Sequence, residues 1–411
     1  MIRILATADW HLGNCFHGFD RQEEHADYLG WLLSTAIRME VDALLVCGDV
    51  FDSSNPSAAS QELYYSFLDR LSAARPALRT VIIAGNHDSA MRLEAPKLLL
   101  RRHNVRVIGV VPGGGDGVPV YGDMTVELHS SDGERAVVLA VPYLRDGDFP
   151  RGKGYAEGVA EFLRTAVSEA GKVRGDGALI VMTHLYAKGS EIAEDSSERI
   201  VVGGSEMVNV SCLNEDVTLL LSGHIHRNQT IGGRANWLYP VSALPMSFAE
   251  RGYRHGAVYC EIDGGKLPGE PAFVEYRLQH PLLSVPDRPE PLGEVKKRLK
   301  KLPDRGSGEG EADEPYLEVK VLLDAPAAGL TKQIEDCLEG KRVRLCRTSV
   351  SYPLREERGE SVQVTSVDDL RQLDPMEVIR ARYRQSHGYD MSDGLVSLAE
   401  EAIEAARSDV S

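Results

Sequence analysis

Ala43-Leu44-Leu45-Val46-Cys47-Gly48-Asp49-Val50-Phe51-Asp52 decides the fold. Five small or aliphatic residues in a row read as a strand buried on both faces, and Gly48-Asp49 ends it in a polar turn. The same pattern recurs four times. Ile2 to Ala6 runs toward Asp9-Trp10-His11, Thr80 to Ala84 into Gly85-Asn86-His87-Asp88, Leu179 to Met182 into Thr183-His184, and Thr218 to Leu221 into Gly223-His224-Ile225-His226. Helical patterns lie between, at Arg21 to Met39 and at Ser57 to Ala74, the second with a start signal in Asn55-Pro56. Leu29, Leu32, Leu33 and Ile37 on one, and Leu63, Phe67, Leu68 and Leu71 on the other, read as core stripes. Alternating elements of this kind describe a layered α/β domain, whose chemistry belongs in loops leaving the carboxyl ends of the strands.

Composition narrows the class. At 411 residues the chain exceeds what one core usually organises, so two or three domains are expected. A 43% hydrophobic and 26% charged composition is that of a globular protein, and no stretch approaches the roughly 18 consecutive apolar residues of a membrane span. The net charge of −16 opposes a protein that holds nucleic acid through a basic surface, although bound divalent ions can create a local positive site. Six cysteines, at 15, 47, 212, 260, 337 and 346, form no Cys-x-x-Cys pair, which suits reduced thiols and a cytoplasmic setting. The amino terminus runs into a strand without a signal-peptide pattern. Gly113 to Gly117 lacks the Lys and Ser/Thr of a phosphate loop, so it reads as a turn and any ATP dependence must come from a partner.

Each of the five loop motifs alone has an ordinary reading as a turn or cap. Together they place two carboxylates, one carboxamide and four imidazoles at strand ends expected to share one sheet, an N/O donor set suited to Mn²⁺ or Fe²⁺. Phosphodiester hydrolysis needs a nucleophile from water at neutral pH and neutralisation of transition-state charge. Two ions roughly 3.5–4 Å apart supply both.

The order Asp-x-His, Gly-Asp, Gly-Asn-His-Asp, His, Gly-His-x-His resembles the signature of calcineurin-like metallophosphoesterases. Asp9-Trp10-His11-Leu12-Gly13, Gly48-Asp49-Val50-Phe51-Asp52 and Ser222-Gly223-His224-Ile225-His226 are similar to the motifs of the bacterial SbcD nuclease subunit family, and the likeness extends over nearly the whole chain. It implies an α/β (α+β) fold: a four-layer β-sandwich flanked by helices, with a small β-α-β capping domain and a helical tail. By resemblance Asp9, His11 and His226 hold one metal, Asn86, His184 and His224 the other, and Asp49 bridges them. His87 then faces the scissile phosphate as a catalytic group, with Asp88 orienting its imidazole. His17, His25 and His103 have no motif context and read as surface or helix residues, while His255 is undecided. The resemblance also implies two divalent ions, Mn²⁺ in particular, and a cytoplasmic enzyme that joins the nucleoid on DNA. Implied substrates are DNA duplex ends, hairpins and single strands, cut as a 3′–5′ exonuclease and endonuclease in DNA-end processing and repair. Implied partners are an SbcC-type SMC-like ATPase and a second copy, in a two-plus-two assembly with no membrane contact.

Domain limits follow composition. Residues 1–280 form the metallophosphoesterase domain, 281–365 a linker and small capping, DNA-binding domain, and 366–411 a helical tail suited to docking the ATPase. Pro286, Pro289 and Pro291, the basic Lys296 to Lys301 and the acidic Gly306 to Glu314 mark the linker. Tyr316 to Leu323, Thr331 to Glu339 and Val343 to Val350 make the β-α-β unit. Asp374-Pro375 opens a helix whose Met376, Ile379 and Tyr383 face either a partner groove or this chain, and Leu395 to Ala406 marks another. Lys296 to Lys301 is either a DNA contact or a solvated helix face. Two other functions compete: a protein phosphatase or cyclic-nucleotide phosphodiesterase on the same scaffold, and a non-catalytic scaffold, which would have no use for His87.

Overall fold

A computed structural model describes residues 1–114, 118–130, 132–149, 152–192, 207–213, 216–306, 314–353, 374–387 and 390–408. The chain divides into two compact units, Met1–Leu282 and Leu283–Ser411.

The first unit is built on two six-stranded sheets. One has the order Ala272–Glu275, Gly256–Ile262, Ile2–Thr7, Ala43–Cys47, Arg79–Ile83, Val105–Ile108. Its last four strands are parallel, with Gly256–Ile262 antiparallel to Ile2–Thr7. The other runs Gln229–Ile231, Arg234–Tyr239, Leu219–Gly223, Ala178–His184, Arg135–Ala140, Thr125–His129. The expectation of a single sheet is thus corrected. Leu219–Gly223 pairs in parallel with Ala178–His184 in a second sheet, and the two sheets stack through a common apolar cluster.

Side-chain alternation explains the layers. Ile4, Ala6, Leu45, Cys47, Val81 and Ile83 point into the cluster shared with Val181, Leu219 and Leu221 of the second sheet. Leu5, Leu44, Val46 and Ile82 point the other way, onto the helices Gln22–Arg38 and Ala58–Ala74. The far face of the second sheet carries Val159, Phe162, Leu163, Ala166 and Val167 of the helix Tyr155–Arg174. Helix, sheet, sheet and helix make four layers, and full burial of each aliphatic side chain contributes about 1.5–3 kcal/mol. On Gln22–Arg38 the buried stripe is Tyr28, Leu29, Leu32, Leu33 and Ala36, whereas Ile37 is 42% exposed. With 3.6 residues per turn, Ile37 falls beyond the edge of the stripe that Ala36 continues. Ser57 caps the second helix, its Oγ accepting from Ser60 N at 3.1 Å.

The second unit holds a three-stranded sheet in the order Leu282–Pro291, Tyr316–Leu322, Arg344–Ser351. Tyr316–Leu322 and Arg344–Ser351 are parallel and joined through the helix Leu330–Leu338. Pro286, Pro289 and Pro291 belong to the first of these strands and not to a linker, a place proline tolerates because this is an edge strand with a side that needs no donors. Lys296, Lys297 and Arg298 lie on the helix Leu292–Leu299, whose Val295 and Leu299 pack with Leu317, Val319 and Ile334. Helices Pro375–His387 and Asp393–Ser408 follow. Residues 115–117 of the glycine run, 307–313 of the acidic run and 366–373 of the tail lie outside the described residues.

Candidate active site

The loops after the central strands of both sheets meet at one end of the sandwich. Four of the expected ligands, Asp9, His11, Asp49 and His224, adopt left-handed backbone with φ of 51, 47, 48 and 91°. That conformation costs a non-glycine residue stability, and such strain clusters at functional sites. Two glycines make room. A Cβ on Gly48, itself at φ +90°, would stand 2.3 Å from His184 Nδ1, and one on Gly85 would stand 2.1 Å from Asp49 Oδ1.

All seven expected ligands are brought together. Asp9, His11 and His226 offer ligand atoms within 4.8 Å of one another, and so do Asp9, Asp49 and His184. Asn86 Oδ1 accepts from His184 Nε2 at 2.9 Å and from His224 Nδ1 at 3.0 Å. Asp49 Oδ2 lies 3.3 Å from His184 Nε2 and 3.8 Å from His11 Nε2, and its Oδ1 accepts from His87 N at 2.8 Å. Asp9 Oδ1 accepts from His224 N at 3.0 Å. Buried and without hydrogen-bond partners are Asp9 Oδ2 and both ring nitrogens of His11. Such atoms are costly to leave unpaired in a folded protein. Ligands about 2.1 Å from an octahedral ion stand about 3 Å apart, so donor set and spacing both fit divalent metals.

The electrostatics suit the same reading. Burial would lower the His184 pKa, but the Asp49 carboxylate, its hydrogen bond and Asp9 outweigh burial and raise it to about 9. Nδ1 donates to Cys47 O at 2.9 Å while Nε2 donates to Asn86, so the metal-free ring is imidazolium. Burial would raise Asp49, but His184 and then His11 hold it well below the usual carboxylate range. Burial raises Asp9. Burial and the neighbouring His184 charge lower His224 to about 3. A raised histidine favours the metal-free fold fully below its ordinary pKa of 6.5, a contribution lost as pH climbs through about 9. Ligation needs the neutral ring, so the sign reverses for metal. Titrating Mn²⁺ into the metal-free chain at neutral pH is therefore expected to release about one proton from His184. Release should vanish at pH values well above 9. Calorimetry in buffers of different ionisation heat measures it, and uptake without proton release at neutral pH would contradict the assignment.

His87 adjoins the ligands, with a ring nitrogen in one group with those of His11 and Asp52 whose atoms lie within 4.8 Å of one another. It is exposed, its Nδ1 donates to Asp52 O at 2.9 Å, and its ring meets that of His11 edge-on at 4.9 Å. Asp88 does not orient it. The Asp88 carboxylate accepts from Val50 N at 3.1 Å, Phe51 N at 2.9 Å and Gly85 N at 2.9 Å, tying the Asp49 loop to the Asn86-His87 loop. Burial and then Asp49 raise its pKa to about 6, against those three donors. The group that holds the His87 ring is the Asp52 carbonyl.

Three contributors have no role in the motif reading, Asp52 among them although it closes the Gly48 to Asp52 motif. Glu250, on the short turn Phe248–Gly252, places Oε1 3.2 Å from His226 Nδ1. Asp52 Oδ1 lies 3.4 Å from His11 Nδ1. Arg145 is exposed and donates from Nη2 to Asp88 O at 3.3 Å. Among the remaining histidines, His17 and His103 are exposed as expected. His25 is a helix residue but buried, which lowers it to about 3. His255 is also buried, with Nδ1 donating to Ser242 O at 3.0 Å.

Known proteins match this arrangement. The family model described as calcineurin-like phosphoesterase covers residues 2–228, which includes every expected ligand and His87. A second, described as type 5 capsule protein repressor C-terminal domain, covers residues 279–387. The D subunit of the SbcCD nuclease from Rhodobacter capsulatus is 35% identical over 86% of this chain and 88% of its own. The corresponding D subunits from Escherichia coli K12 and Bacillus subtilis are 31% and 34% identical over 65% and 64% of this chain. The matched regions are 66% and 67% of those two proteins. By motif order, site geometry and these likenesses, the chain belongs to the calcineurin-like phosphoesterase family, among the D subunits of SbcCD nucleases.

Proposed function

We propose that this chain is the nuclease subunit of an SbcCD-type complex and hydrolyses DNA phosphodiester bonds at a centre of two divalent ions, Mn²⁺ in particular. The observation that carries it is the convergence of seven N/O donors from five loops on a cluster of buried, unpartnered ligand atoms. Asp9, His11 and His226 would hold one ion, Asn86, His184 and His224 the second, with Asp49 between. When bound, two such ions lower the pKa of water and neutralise charge on the phosphoryl oxygens.

The chain's own groups do the rest. A carbonyl only accepts, so His87 Nδ1 carries its hydrogen toward Asp52 O and leaves Nε2 for the substrate. A protonated His87 donates from Nε2 to the leaving oxygen or to a phosphoryl oxygen as charge develops. Asp88 keeps the two loops in register through three backbone N–H groups. Arg145, an exposed cation one carbonyl from that register, suits a flanking phosphate. Residues 1–280 split by charge into 26 basic and 36 acidic, and 281–411 into 20 and 26, so neither part attracts DNA by net charge. Bound ions, local basic groups such as Lys296 to Lys301 and an SbcC-type ATPase would supply that attraction. Exonuclease action from 3′ ends, endonuclease action on hairpins and single strands, and work on the nucleoid in the cytoplasm belong to the same reading. So do the division into a catalytic domain, a capping domain at 281–365 and a docking tail from 366. A two-plus-two assembly needs a contact between copies, for which the exposed Met91, Leu98 and Leu99 offer an apolar face.

A panel of linear duplex DNA, phosphoprotein and cyclic nucleotide, with Mn²⁺ and with or without ATPase and ATP, tests the substrate class. DNA is expected to be turned over fastest. Faster turnover of either other substrate would reverse the assignment to phosphatase or cyclic-nucleotide phosphodiesterase, which the nuclease relatives disfavour.

A further inference from the structure

We propose that the two metal positions are unequal: Asp9, His11 and His226 hold an ion tightly while Asn86, His184 and His224 hold an exchangeable one, because Asp52 and Glu250 stand behind the first set alone. The inference rests on the two-metal reading above.

Consider what backs each imidazole. Glu250 Oε1 takes the Nδ1 hydrogen of His226 at 3.2 Å, and its Oε2 accepts from Met246 N at 2.8 Å. Glu250 is 1% exposed, so water does not screen it. Asp52 Oδ1 lies 3.4 Å from His11 Nδ1 and also accepts from Asn14 Nδ2 at 3.1 Å. The Glu250 carboxylate at His226 Nδ1 fixes the hydrogen there, turns the Nε2 lone pair toward the metal and makes it more basic, while Asp52 acts on His11, whose Nδ1 has no hydrogen-bond partner, as a nearby negative charge. His184 Nδ1 donates instead to the neutral peptide oxygen of Cys47 at 2.9 Å, with the Asp9 carboxylate farther off at 4.0 Å. His224 donates from its own Nδ1 to the neutral carboxamide oxygen of Asn86 at 3.0 Å.

Charge follows the same division. Asp9, Asp52 and Glu250 surround the first position. The second has the shared Asp49 and the more distant Asp9, whose Oδ1 lies 4.0 Å from His184 Nδ1. The buried Arg21 does not offset the difference, because Glu24 takes it in a bidentate pair at 2.9 and 3.2 Å. Asp52 and Glu250 are positioning residues: they act on the ion through His11 and His226. It follows that the first ion stays with the chain and the second tracks the free metal concentration, so occupancy of the Asn86, His184 and His224 position sets how much enzyme is active.

Equilibrium Mn²⁺ titration of the full-length metal-free chain tests this, read by the electron paramagnetic resonance signal of free Mn²⁺ and by metal content after dialysis. The wild type is expected to show two classes separated by at least about tenfold in Kd, and to retain one ion on dialysis. Glu250→Gln should weaken the tight class by about 10–100-fold and leave the weak class unchanged, with Glu250→Asp recovering part of the loss. Asp52→Asn should act in the same direction and carries the test if Glu250→Gln does not fold. Two classes of equal affinity, or carboxylate variants that weaken only the loose class, would overturn the inequality and leave the two-metal reading standing. No Mn²⁺ uptake by the wild type would overturn both.

Discussion

His87→Asn is expected to slow DNA cleavage by about 10²–10⁴-fold while metal uptake stays at two ions per chain, as measured by single-turnover digestion and by metal analysis of one preparation. The size follows from the role. The imidazole is the exposed member of the cluster, and the structure fixes it through Asp52 O at Nδ1 and through its own backbone N–H to Asp49 Oδ1. Asparagine keeps the backbone contact and the bulk but has no group that can give up a proton at neutral pH. Loss of metal together with loss of rate would instead make His87 a ligand. Unchanged rate would remove it from the reaction.

Asp49→Ala is expected to have the larger effect. Activity should fall by about 10⁴-fold or more, and metal content should drop below two ions per chain. Asp49 contacts both ligand groups, 3.3 Å from His184 and 3.8 Å from His11, and its second oxygen carries the His87 N–H. Its removal therefore takes away the bridge, the counter-charge of the His184 imidazolium and the backbone anchor of His87 together. Full metal content in Asp49→Ala would show that the two ion positions do not share this carboxylate.

Much of this centre is legible before folding because each motif follows a strand. Asp9, Asp49, Asn86, His184 and His224 each sit within a few residues of an apolar run, and a parallel strand delivers whatever follows it to the same edge. That both sheets contribute is not legible, since apolar runs of equal length pair equally well in one sheet or two. Partner choice is settled by long-range packing among residues such as Cys47, Met182 and Leu221. Asp88 shows the limit of reading adjacency as contact: it follows His87 in the chain, yet its oxygens turn inward to three peptide groups. Glu250 is hidden for the opposite reason. It lies 24 residues from His226 in an irregular stretch, and only tertiary folding brings the two within 3.2 Å. Pro286, Pro289 and Pro291 read as a linker because proline disfavours ladders, but an edge strand spares one side of the chain from donating.

The central claim is that five loops build one centre for two ions. Anomalous diffraction from a crystal of the full-length chain soaked in Mn²⁺ measures it directly. Two peaks about 3.5–4 Å apart are predicted, one among Asp9, His11 and His226 and one among Asn86, His184 and His224, with Asp49 reaching both and His87 reaching neither. A single peak at full occupancy, or peaks held by other side chains, would contradict the account.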